Sequence, residues 1–128
     1  MACVISAPSS GSGKTLLSLV LSSWAKQREL NIQTFKVGPD YLDPQHLSAV
    51  SRIPCRNLDL ILSGPNWVKE NFHAFGGSAD LALVEGVMGL FDGLGTSNKG
   101  STASIAKFLE LPVVLVVDAR GQAASIAA

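Results

Sequence analysis

The chain has only two cysteines, Cys3 and Cys55, with no CxxC pair, so it offers neither a zinc-ligand spacing nor a disulfide framework. A reducing, cytoplasmic setting is the expectation. It has no surplus of one charge, because ten Lys+Arg balance ten Asp+Glu, which removes the strong positive field that binding to a nucleic-acid backbone or an anionic membrane requires. Any anionic ligand must be met locally. There is no basic leader at Met1-Ala2-Cys3-Val4-Ile5, and no apolar run approaches the roughly 18 residues of a membrane span. Charged residues are scarce at 16%, hydrophobic ones abundant at 47%, and 128 residues suffice for one domain with its own core. Nucleic acid and membrane are not expected partners.

Ala2 to Ser6 is a short apolar run that meets the small-residue stretch from Ala7 to Gly13, so a buried strand is expected to end there. From Lys14 to about Arg28, Leu16, Leu17, Leu19, Val20, Leu21 and Trp24 recur at helical spacing. Ile32 to Val37 reads as a second strand, broken by the Gly-Pro loop from Gly38 before a short helix over Pro44–Val50. Pro54, Gly64 and Pro65 divide the next stretch, where only a helix over Pro65–Phe75 is clear. Asp80 to Val84 is a third strand ended by Glu85-Gly86, and Val87 to Gly100 is a long glycine-rich loop. A helix from Ser101, a plausible N-cap, runs to about Leu109, and Pro112 to Val117 makes a fourth buried strand closed by Asp118. Gln122 to Ala128 reads as the opening of another helix, an unusual place for a domain to stop, which suggests a piece of something longer. Apolar strands alternating with helices indicate an α/β fold with a mostly parallel sheet covered on both faces.

The chemistry concentrates at Ser9-Ser10-Gly11-Ser12-Gly13-Lys14-Thr15, a glycine loop between a strand and a helix. There the amides of Ser10, Gly11, Ser12 and Gly13 and the positive helix end can wrap a polyphosphate, Lys14 can reach the β- and γ-phosphates, and the Thr15 hydroxyl can ligate Mg²⁺. Pro8 stands where the full phosphate-loop pattern has its first glycine. Carboxylates for Mg²⁺ belong at the carboxyl ends of neighbouring strands, which favours Glu85 and, in its Gly-Pro loop, Asp40. Asp118 is left open between site and structure, as is Asp43, whose place before Pro44 also suits a helix N-cap. Lys36 is equally open, since it either steers a carboxylate or faces water. His46 and His73 lack catalytic or metal partners, and Trp24 and Trp67 are expected in the core.

These residues fall into five motifs: Ala7 to Thr15, Phe35 to Pro44, Cys55 to Asp59, Val84 to Gly93 and Gly100 to Ala103. In that order they resemble the N-terminal synthetase domain of cobyrinate a,c-diamide synthases. The resemblance implies a phosphate-loop fold of the nucleoside triphosphate hydrolase kind, similar to dethiobiotin synthetase. It also implies ATP- and glutamine-dependent amidation of the a and c acetates of a corrin ring, with ATP and Mg²⁺ as cofactors, in cobalamin biosynthesis. Carried over by position, Lys14 and Thr15 would bind phosphate and magnesium, Glu85 and Asp40 would complete the metal shell, and Asp43 and Lys36 would face the corrinoid carboxylate or acyl phosphate. Arg56 and Asn57 are weaker candidates for substrate contacts. The family's synthetase domain continues into a glutamine amidotransferase domain, which residues 1–128 lack, so the expected partner is that domain and the piece alone is expected to be inactive and to self-associate. Hydrogenobyrinate or nickel-sirohydrochlorin are alternative substrates within the resemblance. A partitioning ATPase, from another class, is disfavoured by Ser9, where such proteins carry a lysine.

Overall fold

A computed structural model describes residues 1–127. Five strands, β1 (Ala2–Ser6), β2 (Ile32–Val37), β3 (Arg56–Leu58), β4 (Leu81–Glu85) and β5 (Val113–Leu115), form one sheet in the order β3-β2-β4-β1-β5. Every pairing is parallel. The helices are α1 (Lys14–Gln27), α2 (Asp43–Ser51), α3 (Pro65–Gly76) and α4 (Thr102–Phe108), with a 3-10 turn at Ala124–Ala127. No described helix is long and apolar enough to cross a membrane.

Alternation along the strands divides the core in two, because successive side chains leave opposite faces of a sheet. Val4, Phe35, Val37, Ala82 and Val84 pack with Val68 and Phe72 of α3 and Ile105 and Ala106 of α4. Ile5, Ile32 and Leu83 pack on the other face with Ala25, Leu17 and Leu21 of α1. Counting in twos, Lys36 follows Ile32 and Glu85 follows Leu83, so both project onto the α1 face at the carboxyl ends of β2 and β4. The register pairs them directly, Lys36 with Glu85.

The α/β reading and the parallel sheet hold, with five local corrections. β3 is a strand that the sequence does not signal, since Arg56-Asn57-Leu58 is short and polar and earns its place only by pairing with β2. β5 is not buried: Val113, Val114 and Leu115 are all exposed because they join neither core cluster, whereas Leu58 of the opposite edge strand packs into one. Trp24 and Trp67 are each 44% exposed, not in the core; Trp24 instead lies under the Arg28 guanidinium. The strand expected from Asp80 starts at Leu81, leaving the Asp80 carboxylate to accept the Asn31 amide, and it runs on to include Glu85. The helix expected over Gln122–Ala128 is a 3-10 turn ending at Ala127, and Ala128 lies outside the described residues. Ser101 does cap α4, accepting from the Ser104 amide at 3.2 Å.

Candidate functional site

β1 ends at Ser6 because the following small and glycine residues cannot extend it, and the chain turns through Gly11 (φ +77°) and Gly13 (φ +95°) into α1. The left-handed angle at Gly13 is one that a side chain resists. Gly13 is also the N-cap of α1 and supplies no side chain, so the first-turn amides are left for another acceptor. Ser12 donates to the Ser9 carbonyl at 3.0 Å, and the Lys14 ammonium folds back to the same carbonyl at 3.1 Å. Burial, and then the nearby Lys36 charge, lower the Lys14 pKa. The loop after β4 closes on this one: the Leu90 amide bonds Ala7 O at 2.8 Å, and a Cβ on Gly89 would stand 2.5 Å from Pro8 O.

Beside the loop lies a cavity of about 480 Å³, lined among others by Lys14, Thr15, Lys36, Asp40 and Asp43. Behind Thr15 and Lys36, and not itself lining the cavity, Glu85 is fully buried. Its Oε1 accepts from Thr15 Oγ1 at 2.8 Å and from Lys36 Nζ at 2.9 Å. Lys36, 2% exposed, also donates to Asp43 Oδ2 at 2.6 Å and to Gly86 O at 3.1 Å, and lies 3.5 Å from Asp40 Oδ2. Burial opposes the Lys36 charge, but the hydrogen bonds and charges of Asp43 and Glu85 outweigh it and raise its pKa. Burial likewise opposes the Asp43 charge, and Lys36 overcomes it to hold that carboxyl below its usual range. An ammonium shared by carboxylates from three parts of the chain is thus internally compensated, the condition under which buried charge is tolerated.

The structure brings together Lys14, Thr15, Lys36, Asp40, Asp43 and Glu85. Asp43 is not an N-cap: it is the first residue of α2, and its side chain turns to Lys36 instead. Asp40 makes the turn itself, its Oδ1 accepting the Leu42 and Asp43 amides at 3.0 and 3.4 Å, while Oδ2 faces Lys36. Asp118 is elsewhere, pinned in solvent by Arg120 at 2.6 Å. Arg56 stacks on the Phe75 ring and does not line the cavity. Asn57 spends its amide on Gly38 O and Asp40 O, at 2.7 Å each. Sequence reading also missed Thr102, whose hydroxyl accepts the Val87 amide at 3.0 Å and fixes the loop after β4; a hydroxyl one residue beyond a cap carries no signal of that long-range role.

A divalent cation fits the donor set. Glu85 Oε2 is buried with no partner among the described residues, and the Thr15 hydroxyl stands against the same carboxylate. Among those residues no three acidic, His or Cys side chains converge into a self-sufficient cage. That agrees with a magnesium that takes one or two protein carboxylates and draws most of the rest of its shell from phosphate and water.

Fold and cleft define a parallel α/β domain with a glycine loop at the head of α1 and a lysine–carboxylate cluster at the carboxyl ends of its central strands. No family model matches the chain. Comparison with curated proteins nevertheless shows a likeness along essentially its whole length to cobyrinate a,c-diamide synthases. It is 52% identical over 126 residues to that of Syntrophotalea carbinolica and 48% over 129 residues to that of a Synechococcus strain, covering 98% and 100% of this chain. It is 50% identical over 127 residues, 98% of this chain, to the hydrogenobyrinate a,c-diamide synthase of Streptomyces coelicolor. The chain spans 28%, 28% and 26% of those relatives' lengths.

Proposed function

We propose that residues 1–128 are the ATP-binding part of a synthetase domain in a ligase that amidates the a and c acetate carboxylates of cobyrinate, in cobalamin biosynthesis, at the expense of ATP and glutamine. The observation that carries this reading is the buried, half-unpartnered Glu85 carboxylate against Thr15, at the foot of a glycine loop with an open helix N-terminus. The names of the relatives supply the substrate class.

In this reading a substrate carboxylate oxygen attacks the γ-phosphorus of ATP, the bond to the β-phosphate oxygen breaks, and ADP leaves. Ammonia then attacks the acyl carbon and phosphate departs. The loop amides and Lys14 hold the phosphates, with the Lys14 ammonium exchanging its bond to Ser9 O for one to a phosphoryl oxygen. Thr15, Glu85 and Asp40 would hold Mg²⁺, which neutralises charge that builds on the transferring phosphoryl group. Lys36 and Asp43 face the cavity together and orient the substrate carboxylate against that group.

The ammonia comes from a glutamine amidotransferase domain with a cysteine nucleophile, a role for which neither cysteine here is suited. Burial raises the Cys3 thiol pKa and pushes that of Cys55 up to about 11, so neither supplies thiolate at neutral pH. The 50% identity to a hydrogenobyrinate enzyme brings the metal-free ring into the same test. Full-length protein given ATP, Mg²⁺, glutamine and either cobyrinate or hydrogenobyrinate should form the a,c-diamide of one of them. No amide product from either ring would overturn the reading.

A further inference from the structure

Gly38, Pro39 and Asp40 leave β2 as a tight loop whose carbonyls turn inward, and buried carbonyls need donors. Pro39 has no amide to offer its neighbours, and Gly38 turns at φ +79°. Two of the loop's carbonyls, Gly38 O and Asp40 O, are met by one group, the Asn57 side-chain amide, whose two N–H bonds span Pro39 at 2.7 Å each. Asn57 stands beside Lys36 in the register of β2 and β3, and one residue on, Leu58 O accepts the Gly38 amide at 3.0 Å. The loop therefore hangs from β3.

What hangs from the loop is the acidic half of the cleft. Asp40 Oδ1 organises the amides that begin α2, and from there Asp40 and Asp43 reach Lys36 at 3.5 and 2.6 Å. We infer that Asn57 is a positioning residue: by stapling Gly38 and Asp40 it aims Asp40 and Asp43 at the Lys36–Glu85 cluster, and so sets how tightly the cleft holds a divalent cation with nucleotide. This rests on the reading of the cleft as a magnesium–nucleotide site. It also explains why a polar residue interrupts a strand only three residues long. A hydroxyl would supply one donor and a carboxylate none, so asparagine is the compact side chain that serves both carbonyls.

The test uses full-length protein and Mn²⁺, counted by its electron paramagnetic resonance signal, with a non-hydrolysable ATP analogue. Asn57→Asp keeps the shape but sets a carboxylate against two carbonyls, Asn57→Ala removes both bonds, and Asn57→Ser restores one. The expected result is Mn²⁺ affinity reduced about 10-fold or more in Asn57→Asp and Asn57→Ala, with Asn57→Ser between them and the parent. In turnover the same order should appear in kcat and in the Mg²⁺ needed for half-activation, with little change in the KM for glutamine. Parent-like Mn²⁺ affinity in variants that merely melt earlier would overturn the inference and leave Asn57 a stability residue. If the Asn57 variants do not fold, Pro39→Gly decides, since it slackens the loop between the two stapled carbonyls: weaker Mn²⁺ binding supports the staple, unchanged binding overturns it. A parent protein that binds no Mn²⁺ with the analogue would overturn the site reading itself, and the inference with it.

Discussion

The centre and one edge of the sheet invert the usual relation between residue type and burial. At the centre, Lys36 and Glu85 are 2% and 0% exposed. At the edge, the aliphatic residues Val113, Val114 and Leu115 of β5 are 38%, 43% and 48% exposed. Position in the strand order decides this. β4 lies between β2 and β1 under α1, so whatever its last residue is must be buried, and Glu85 is tolerated because Lys36 and Thr15 meet one of its oxygens. Val113, Val114 and Leu115 of β5 join neither core cluster, and apolar character alone does not bury them.

The comparison breaks first if the central charges prove dispensable. Lys36→Met leaves the Glu85 carboxylate buried and uncompensated, and should cost about 3–5 kcal/mol in urea unfolding. Adding Glu85→Gln to that variant should recover a large part of the loss. A single variant as stable as the parent would show that the cluster is not what allows the charge to be buried.

Lys14→Ala removes a phosphate contact and should cost about 2–4 kcal/mol of transition-state stabilisation, read as kcat/KM for ATP in full-length protein. Glu85→Gln should keep the fold yet shift the Mg²⁺ titration upward. Superimposable titrations would show that Glu85 is no ligand.

Two groups at the centre shape opposite ends of the pH dependence of stability. Asp43 has its pKa depressed, so its contribution is present above the ordinary carboxyl value of 3.8 and is lost as pH falls through the lower folded value. Lys36 has its pKa raised, so its contribution is present below the ordinary 10.5 and is lost as pH rises through the higher folded value. Melting temperature should therefore be flat from the carboxyl limit up to about pH 9.0, where the unfolded Cys3 and Cys55 thiols ionise and the folded ones do not, and Lys36→Met should lose the further fall above 10.5; an unchanged fall there would place that titration elsewhere.

The smallest effect belongs to the edge. Val114→Thr should change folding stability by no more than about 0.5 kcal/mol, as for other partly exposed positions. Val114→Lys should reduce any self-association seen by sedimentation, because a charge on an edge strand blocks strand pairing between copies. A large loss of stability in either variant would mean that β5 is covered in solution.

The sequence by itself determined the elements whose cause is local. Gly11 and Gly13 before Lys14 make a strand–loop–helix, the apolar run from Leu81 to Val84 makes a strand, and Ser101 caps a helix, each for reasons that act within a few residues. The glycine loop also singles out Lys14 and Thr15, and places after apolar strands single out Glu85 and Asp40, whereas Lys36 and Asp43 stay open on the residues alone and join the site only through the family resemblance. Tertiary structure alone decided the rest. Arg56-Asn57-Leu58 becomes a strand because β2 offers it an edge, Trp24 and Trp67 lie at the surface because the core is filled by smaller side chains, and β5 is exposed because its residues join neither core cluster. The choice of Asp43 to pair with Lys36 and not to cap its helix depends on an ammonium 2.6 Å away, and the role of Asn57 depends on carbonyls 17 and 19 residues back in the chain. Such contacts are selected by the sheet register, a cooperative property of the packed chain that no local pattern encodes.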